Sequence, residues 1–260
     1  MKLATTGKMV VRVTQGLTPE SLPKSTILGI GVHRLTMAQF LEQIERLLQS
    51  DSQQIVATAD SSMIYDAQHD TELRDILEKA ALVTPDSSGV LWAGSRKGQP
   101  FPEKVSGVDL VAKLCSLSSQ KGYRIYFLGA APGVAQAAAE KLTLQYPGCN
   151  IVGFGDGFFS AKDDELVAQS IGELNPDILF VAMGIPRQEK FISKNAHLHR
   201  AKVAIGVGGS FDVYAGVAKR APVVIQKARL EWLWRLAQNP SKYKKTLKLP
   251  KFMLAVLRHK

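Results

Sequence analysis

The sequence predicts an α/β protein: a mostly parallel sheet with helices on both faces, followed by a basic amphipathic helical appendage. Three observations lead there. Short β-rich runs alternate with amphipathic helical stretches, each apolar run ends in small or polar residues, and positive charge gathers in residues 219–260.

The elements follow in order. A helix at Met37–Gln49, with Thr36 as its N-cap, precedes the first β-rich run, Gln54–Ala57. Helix Thr71–Lys79 leads to strand Ala81–Val83, and helix Val108–Lys121 to strand Arg124–Leu128. Pro132-Gly133 opens helix Val134–Tyr146, and strand Asn150–Val152 follows. Ser160 and Asp163 supply starting signals for helix Asp163–Leu174. Strand Ile178–Ala182, helix Gln188–His199 and strand Lys202–Gly206 complete the body. Parallel neighbours need crossover connections, so this alternation implies a Rossmann-like sheet.

At 260 residues and 45% hydrophobic, the chain can bury one large core. Residues 219–260 hold twelve Lys/Arg and one acid, Glu231, whereas the whole chain carries only +10; residues 1–218 are therefore close to neutral. The expected organisation is a weakly ordered lead-in at 1–24, an α/β catalytic domain at 25–218 and the appendage at 219–260. Within the appendage, Leu230, Leu233, Trp234 and Ala237 recur at helical spacing. Beyond Pro240, lysines surround Tyr243 and Leu247 before the apolar run at 252–257. That mixture suits an anionic, partly apolar surface such as a layer of phospholipid headgroups. No apolar run is long enough to span a bilayer, and the N-terminus lacks the apolar core of a signal peptide. The expected location is cytoplasmic, peripheral at the inner face of the cell membrane. Cys115 and Cys149 show no metal-ligand spacing and suit a reducing compartment.

The strand ends carry the functional signal. The runs finish in Thr58-Ala59-Asp60, Thr84-Pro85-Asp86-Ser87-Ser88-Gly89, Gly129-Ala130-Ala131-Pro132-Gly133, Gly153-Phe154-Gly155-Asp156-Gly157, Met183-Gly184-Ile185-Pro186-Arg187-Gln188 and Gly206-Val207-Gly208-Gly209-Ser210-Phe211-Asp212. In open α/β sheets the ligand lies outside the carboxyl ends of the strands, where glycines admit close backbone approach and helix N-termini favour phosphate. A nucleotide diphosphate is the natural occupant if these six loops converge, with Gly129, Gly184, Gly208 and Arg187 among its contacts. The alternative is that the glycines merely close strand-to-helix turns.

In order and spacing, TPDSSGV at 84–90, KVSGVDL at 104–110, FLGAAPGVA at 127–135, GIPRQEKFI at 184–192, GVGGSFDVYAG at 206–216, RAP at 220–222 and LEWLWRL at 230–236 resemble the bacterial WecG/TagA/CpsF glycosyltransferases over about residues 26–258. The resemblance implies an inverting, metal-independent transfer of an N-acetylmannosamine-type sugar. The donor would be a UDP-sugar and the acceptor a polyprenyl-diphosphate-linked sugar, in the assembly of teichoic acid linkage units or related cell-surface polysaccharides. Inverting transfer needs a carboxylate to take the acceptor hydroxyl's proton, and dipolar or positive groups for the departing diphosphate. Asp86, after Pro85 at a strand end, is the expected base and matches the aspartate of the family's Pro-Asp-Gly-x-Gly-Val motif; an Asx turn is its structural alternative. Thr58 and Asp60 fall on a Thr-x-Asn pair, with Asp60 in place of the amide. Gln188 matches the glutamine of Gly-x-Pro-Arg-Gln-Glu and is expected to act at the catalytic centre, with Glu189 paired to Arg187 or Lys190. Asp212 is expected at ribose or uracil, or else as an N-cap. Lys104 stands where the family carries Arg, so its phosphate contact loses the bidentate fork. Ser87 replaces a glycine, which questions the backbone of the catalytic turn. Arg235, Lys242 and Lys245 match positions where basic residues of the family's appendage reach the active site.

No Asp-x-Asp pair ends a strand and Asp163-Asp164 read as a helix start, so no catalytic divalent ion or other cofactor is expected. His197-x-His199 reads as a helix end, and no Gly-x-Ser-x-Gly elbow is present. Two other classes remain. A dinucleotide oxidoreductase would use FLGAAPG at 127–133, but that run is not Gly-x-Gly-x-x-Gly and no strand ending in a ribose-binding acid follows. A nucleic-acid-binding module would account for the tail but not the loops, and no nucleic-acid partner is expected. Homo-oligomerisation stays open.

Overall fold

A computed structural model of the chain describes residues 21–50, 52–222, 224, 225, 228, 230–238 and 247–259. The lead-in falls almost wholly outside these residues, although Leu22 is buried. The chain opens with an antiparallel hairpin, β1 (Lys24–Ile27) and β2 (Ile30–His33), turning through Leu28 and Gly29. There follow α1 (Met37–Leu48), β3 (Gln54–Ala59), α2 (Ser61–Asp66), α3 (Thr71–Lys79), β4 (Leu82–Pro85), α4 (Ser88–Arg96), α5 (Gly107–Lys121), β5 (Ile125–Gly129) and α6 (Val134–Gln145). Then come β6 (Ile151–Gly155), α7 (Asp164–Glu173), β7 (Ile178–Ala182), α8 (Arg187–Lys194), α9 (Ala196–His199), β8 (Val203–Gly206), α10 (Ser210–Ala215), α11 (Glu231–Gln238) and α12 (Lys248–Arg258).

Six strands form one sheet in the order β4-β3-β8-β7-β5-β6, and every pairing in it is parallel. The pleat decides which residue faces which layer. Phe127 and Phe180 point to one face with α1, α5, α6 and α10, whereas Tyr126 and Leu128 point to the other with α7 and α8. Ala57, Ala59 and Val83 share that second side with α2, α3, α4 and α12. Helices cover both faces, as a buried parallel sheet requires. At the β4 edge, the Val83 N–H donates to His33 Nδ1 at 3.0 Å, so the hairpin shields that edge.

Local chemistry explains the helix starts. Thr36 and Gln39 form a reciprocal capping box on α1, while Asp60, Asp70, Ser87 and Ser106 each accept from a backbone N–H in the first turn of α2, α3, α4 and α5. The expected helix Gln188–His199 divides at Asn195, whose side-chain amide donates to the Phe191 carbonyl at 2.9 Å. The short helices α2, α4 and α10 lie where the sequence reads as loop.

The appendage is not uniform. In α12, Phe252 and Val256 are buried in the same hydrophobic cluster as Ile64, Val90 and Phe101 of the body, and Lys248 pairs with Asp66 at 2.7 Å. The apolar run at 252–257 thus has an inner face in the core and an outer face, Met253, Leu254 and Leu257, in solvent. Of the expected stripe, Leu230 just before α11 and Leu233 and Ala237 within it are exposed, while the half-buried Trp234 donates from Nε1 to the Lys219 carbonyl at 3.1 Å. Lys242 and Lys245 lie outside the described residues. Among the described residues, no helix is long and apolar enough to cross a membrane.

Candidate active site

A cleft opens at the carboxyl edge of the sheet. Its walls come from the ends of β3 (Thr58, Asp60) and β4 (Asp86), from the β7–α8 junction (Ile185, Gln188), from the β8–α10 turn (residues 207–210) and from Ser106 at the start of α5. Four of the six strand-end loops therefore converge. The β5 and β6 loops pack on each other instead, with the Gly157 N–H donating to the Ala130 carbonyl at 2.9 Å. Gly129 serves that packing: its φ is +125°, and a Cβ there would fall 2.6 Å from Ala182 backbone atoms. Its role is close approach of β5 to β7, and it does not line the cleft.

The register that pairs Ala59 with Pro85 puts Asp60 and Asp86 one step beyond neighbouring strands. The Asp86 N–H donates to the Ala59 carbonyl at 3.0 Å, and Asp86 Oδ2 accepts from the Gly107 N–H, the first residue of α5, at 3.3 Å. The carboxylate is thus steered into the cleft by a strand end on one side and a helix N-terminus on the other. Ser87 costs the turn nothing: its backbone is extended (φ −142°, ψ 154°), a region open to any residue. Its hydroxyl caps α4 and accepts from the Ser61 N–H at 3.1 Å. The crowded position is Gly89, where a Cβ would sit 2.2 Å from Ser61 Oγ and 3.0 Å from Leu249 of α12.

Thr58 lines the cleft, but its hydroxyl donates to the Gly206 carbonyl at 2.7 Å and clamps β3 to β8. Asp60 Oδ1 accepts from the Met63 N–H at 2.9 Å and from Ser62 Oγ at 2.6 Å, which is the N-cap of α2. An asparagine would cap in the same way through its carbonyl oxygen, so the change from amide to acid leaves the fold alone and alters only the other side-chain atom.

Gln188 is 1% exposed and bridges two groups: Nε2 donates to Glu189 Oε1 at 2.7 Å, and Oε1 accepts from the Gly208 N–H at 3.1 Å. Its amide holds the β8–α10 turn in place. The expected pairing of Glu189 with Arg187 or Lys190 is incorrect. Arg187 makes a two-pronged ion pair with Asp164 and lies 5.5 Å from the Phe159 ring centre, and Lys190 pairs with Asp70 and Glu72. The Asp164 hydrogen bonds hold the Arg187 pKa above its ordinary value, and its charge is spent on α7 rather than on the cleft. Gly184 lies in the loop after β7, and its carbonyl accepts the Gln188 N–H at 2.9 Å. Asp212 lies in the first turn of α10, two residues beyond Ser210 of the cleft wall; the N-cap there is Gly209.

Lys104 differs from expectation. Its ammonium is paired with Glu231 of α11, the appendage's sole acid, and both side chains are largely buried. A second tie lies beside it, where Arg220 grips Asp109 through two contacts of 2.8 Å. Burial pushes the Asp109 carboxyl up, but hydrogen bonds from Arg220 and Ser106 more than offset it and leave the pKa lowered. These two pairs hold Arg220 and α11 at the α5 end of the cleft. No role was expected of Ser106, Asp109 or Glu231; the Ser-x-x-Asp spacing at the start of α5 was the available signal for the first two. Arg235 lies on α11, with its side chain outside what is described. His199 ends α9 with its ring buried. Among the described residues, no group of three or more His, Cys, Asp or Glu is arranged to hold a metal ion.

A family model described as "Glycosyl transferase WecG/TagA/CpsF family" matches residues 25–260. Three similar proteins carry the name N-acetylglucosaminyldiphosphoundecaprenol N-acetyl-beta-D-mannosaminyltransferase. One from Bacillus spizizenii is 36% identical over 86% of this chain and 86% of its own length. One from Bacillus subtilis strain 168 is 33% identical over 90% and 91%, and one from Staphylococcus aureus strain MRSA252 is 30% identical over 91% and 93%. With the match running from β1 through the cleft loops to α12, the chain belongs to the WecG/TagA/CpsF family of glycosyltransferases.

Proposed function

We propose that the protein transfers an N-acetylmannosamine-type sugar from a UDP-sugar to a polyprenyl-diphosphate-linked N-acetylglucosamine, with inversion and without a metal ion, at the cytoplasmic face of an anionic membrane. The observation that carries this is the Asp86 carboxylate, held by the Gly107 N–H in a cleft that four strand ends build. In the reaction the acceptor hydroxyl oxygen bonds to the anomeric carbon, the bond from that carbon to the diphosphate breaks with its electron pair leaving on UDP, and Asp86 takes the hydroxyl proton. The N-terminus of α5 borders the cleft at Ser106 and Val108, and the positive end of its dipole favours the departing charge. With Lys104 held by Glu231, the resemblance leaves Arg235, Lys242 and Lys245 as the cations assigned to the diphosphate in place of a metal. The relatives' names support the acceptor and a β-configured product, which from an α-linked donor means inversion. The exposed apolar faces of α11 and α12, rich in flanking Lys and Arg, support the membrane location.

The test is transfer from UDP-N-acetylmannosamine to a short-chain lipid diphosphate acceptor in EDTA, with product configuration read by NMR. Asp86→Asn should lower turnover about 10²-fold or more while UDP affinity stays within a few-fold. Near-normal turnover in that variant removes the base assignment, and activity lost in EDTA but restored by Mg²⁺ or Mn²⁺ removes metal independence.

A further inference from the structure

Away from the cleft, a groove of about 520 Å³ is lined by Thr26, Arg96, Lys97, Val256, Leu257 and His259. Its place in the fold follows from α4 and α12, which run side by side in the same direction. Leu249 meets Gly89 at one end, and Val256 and Leu257 share the groove with Arg96 and Lys97 at the other. Arg96 is the last residue of α4, Lys97 its C-cap, and His259 the C-cap of α12. The catalytic turn at Asp86 adjoins the opposite end of α4, roughly 13 Å away at 1.5 Å per residue.

One cation at each helix C-terminus is ordinary compensation of the helix dipole. Here two helix ends deliver Arg96, Lys97 and an imidazole to one concavity that has no acid in its wall. Among the described residues, neither Arg96 nor Lys97 has an ion pair or a side-chain hydrogen bond. The wall beside them is apolar: Val256 continues into the core, and Leu257 is 55% exposed, next in line to the exposed Leu254. A small hydrated anion would gain from the cations but nothing from Leu257. An anion attached to a hydrocarbon chain gains from both.

We propose that this groove seats the phosphate of a single anionic phospholipid, with Arg96 and Lys97 on the phosphodiester and the first part of an acyl chain along Leu257 and Leu254. The inference rests on the membrane part of the proposed function and adds a discrete lipid site to it. The outer face of α12 then lies against the bilayer, pinned at one end by a bound headgroup and leading at the other to the catalytic turn.

The experiment titrates the full chain by calorimetry with dihexanoylphosphatidylglycerol below its micelle concentration, with dihexanoylphosphatidylcholine and inorganic phosphate as separate arms. Saturable 1:1 binding of the anionic lipid is expected. It should weaken by about tenfold or more in Arg96→Ala/Lys97→Ala, and by a smaller factor in Leu257→Ser, while both variants keep the wild-type thermal shift with UDP and so remain folded. Absence of saturable binding overturns the site even if the protein still sediments with phosphatidylglycerol vesicles, an outcome that leaves the membrane reading intact. Equal binding of the choline lipid, or phosphate binding as tight as the lipid with no effect of Leu257→Ser, also overturns it.

Discussion

Replacing Phe252 by alanine tests whether the C-terminal helix is an accessory or part of the fold. Phe252 is 0% exposed and sits in one cluster with Met63 and Ile64 of α2, Val90 and Ala93 of α4, and Phe101, all far from its own helix in sequence. Truncating a fully buried phenylalanine removes its transfer free energy and leaves a cavity, about 3–5 kcal/mol together. For a chain of this size, that lowers the melting temperature by roughly 10 °C. Leu254, two residues along and 48% exposed, provides the internal comparison. Leu254→Ala should cost well under ~1 kcal/mol, since little of the side chain leaves the protein interior. Vesicle binding should invert the order, with Leu254→Ala weakening sedimentation and Phe252→Ala sparing it at temperatures where the variant is folded. Urea or thermal unfolding of both variants decides the matter. If Phe252→Ala unfolds no more readily than Leu254→Ala, α12 does not pack on the body as described, and the argument for a fixed membrane-facing surface falls with it.

Three further outcomes follow from the site. A double-mutant cycle on Lys104→Ala and Glu231→Ala, read by thermal unfolding, should give a coupling of ~1 kcal/mol for this largely buried pair; zero coupling would detach α11 from the cleft wall. Gln188→Ala should reduce stability by about 1–3 kcal/mol as well as turnover, because it removes the bonds that the Gln188 amide makes to the Gly208 N–H and the buried Glu189 carboxylate, whereas a residue that only touched substrate would leave unfolding unchanged. The buried His199 imidazole is held at about 4 by burial, and an unfolded histidine titrates near ~6.5. Between those values the unfolded chain binds a proton that the native state refuses, so stability falls as pH drops from ~6.5 to ~4, by up to ~3 kcal/mol. His199→Asn should flatten that slope, and an unchanged slope in the variant would contradict the assignment.

The parallel sheet was legible because its strands are buried on both faces and so read as short continuous apolar runs, as Ile178–Ala182 does. The hairpin β1–β2 was not. Its turn places Leu28 at φ +49° beside Gly29 at φ +83°, and a leucine in the left-handed region hides the usual Asn-Gly signal. Asp86 and the strand ends were readable as motifs, yet the partners of their neighbours were not. Glu189 stands between Arg187 and Lys190, which look like its natural partners, but α7 and α3 offer those cations Asp164, Asp70 and Glu72 from elements distant in sequence. Lys104 failed as a free phosphate ligand for the same reason, since nothing local announces Glu231. In the appendage, Leu249, Phe252 and Val256 stand among dense lysines, yet their helical spacing is already that of a core-facing stripe.

That stripe changes what the appendage can do. A basic segment joined to the body only through the chain would raise the enzyme's concentration at an anionic surface without controlling its attitude there. An α12 whose inner face is core and whose outer face is Leu247, Met253, Leu254 and Leu257 transmits any attachment to the body as a rigid unit. Leu249 against Gly89 joins that unit to the first turn of α4, three residues from Asp86, while the Lys104–Glu231 and Asp109–Arg220 pairs hold α11 and Arg220 at the α5 end of the same cleft. Under the proposed function the acceptor's diphosphate is confined to the headgroup layer, whereas the UDP-sugar arrives from solution. An enzyme fixed in orientation by α12 presents its cleft to that layer at a constant height, and positioning of this kind lowers the barrier of a two-substrate transfer in a way that simple enrichment at the surface does not.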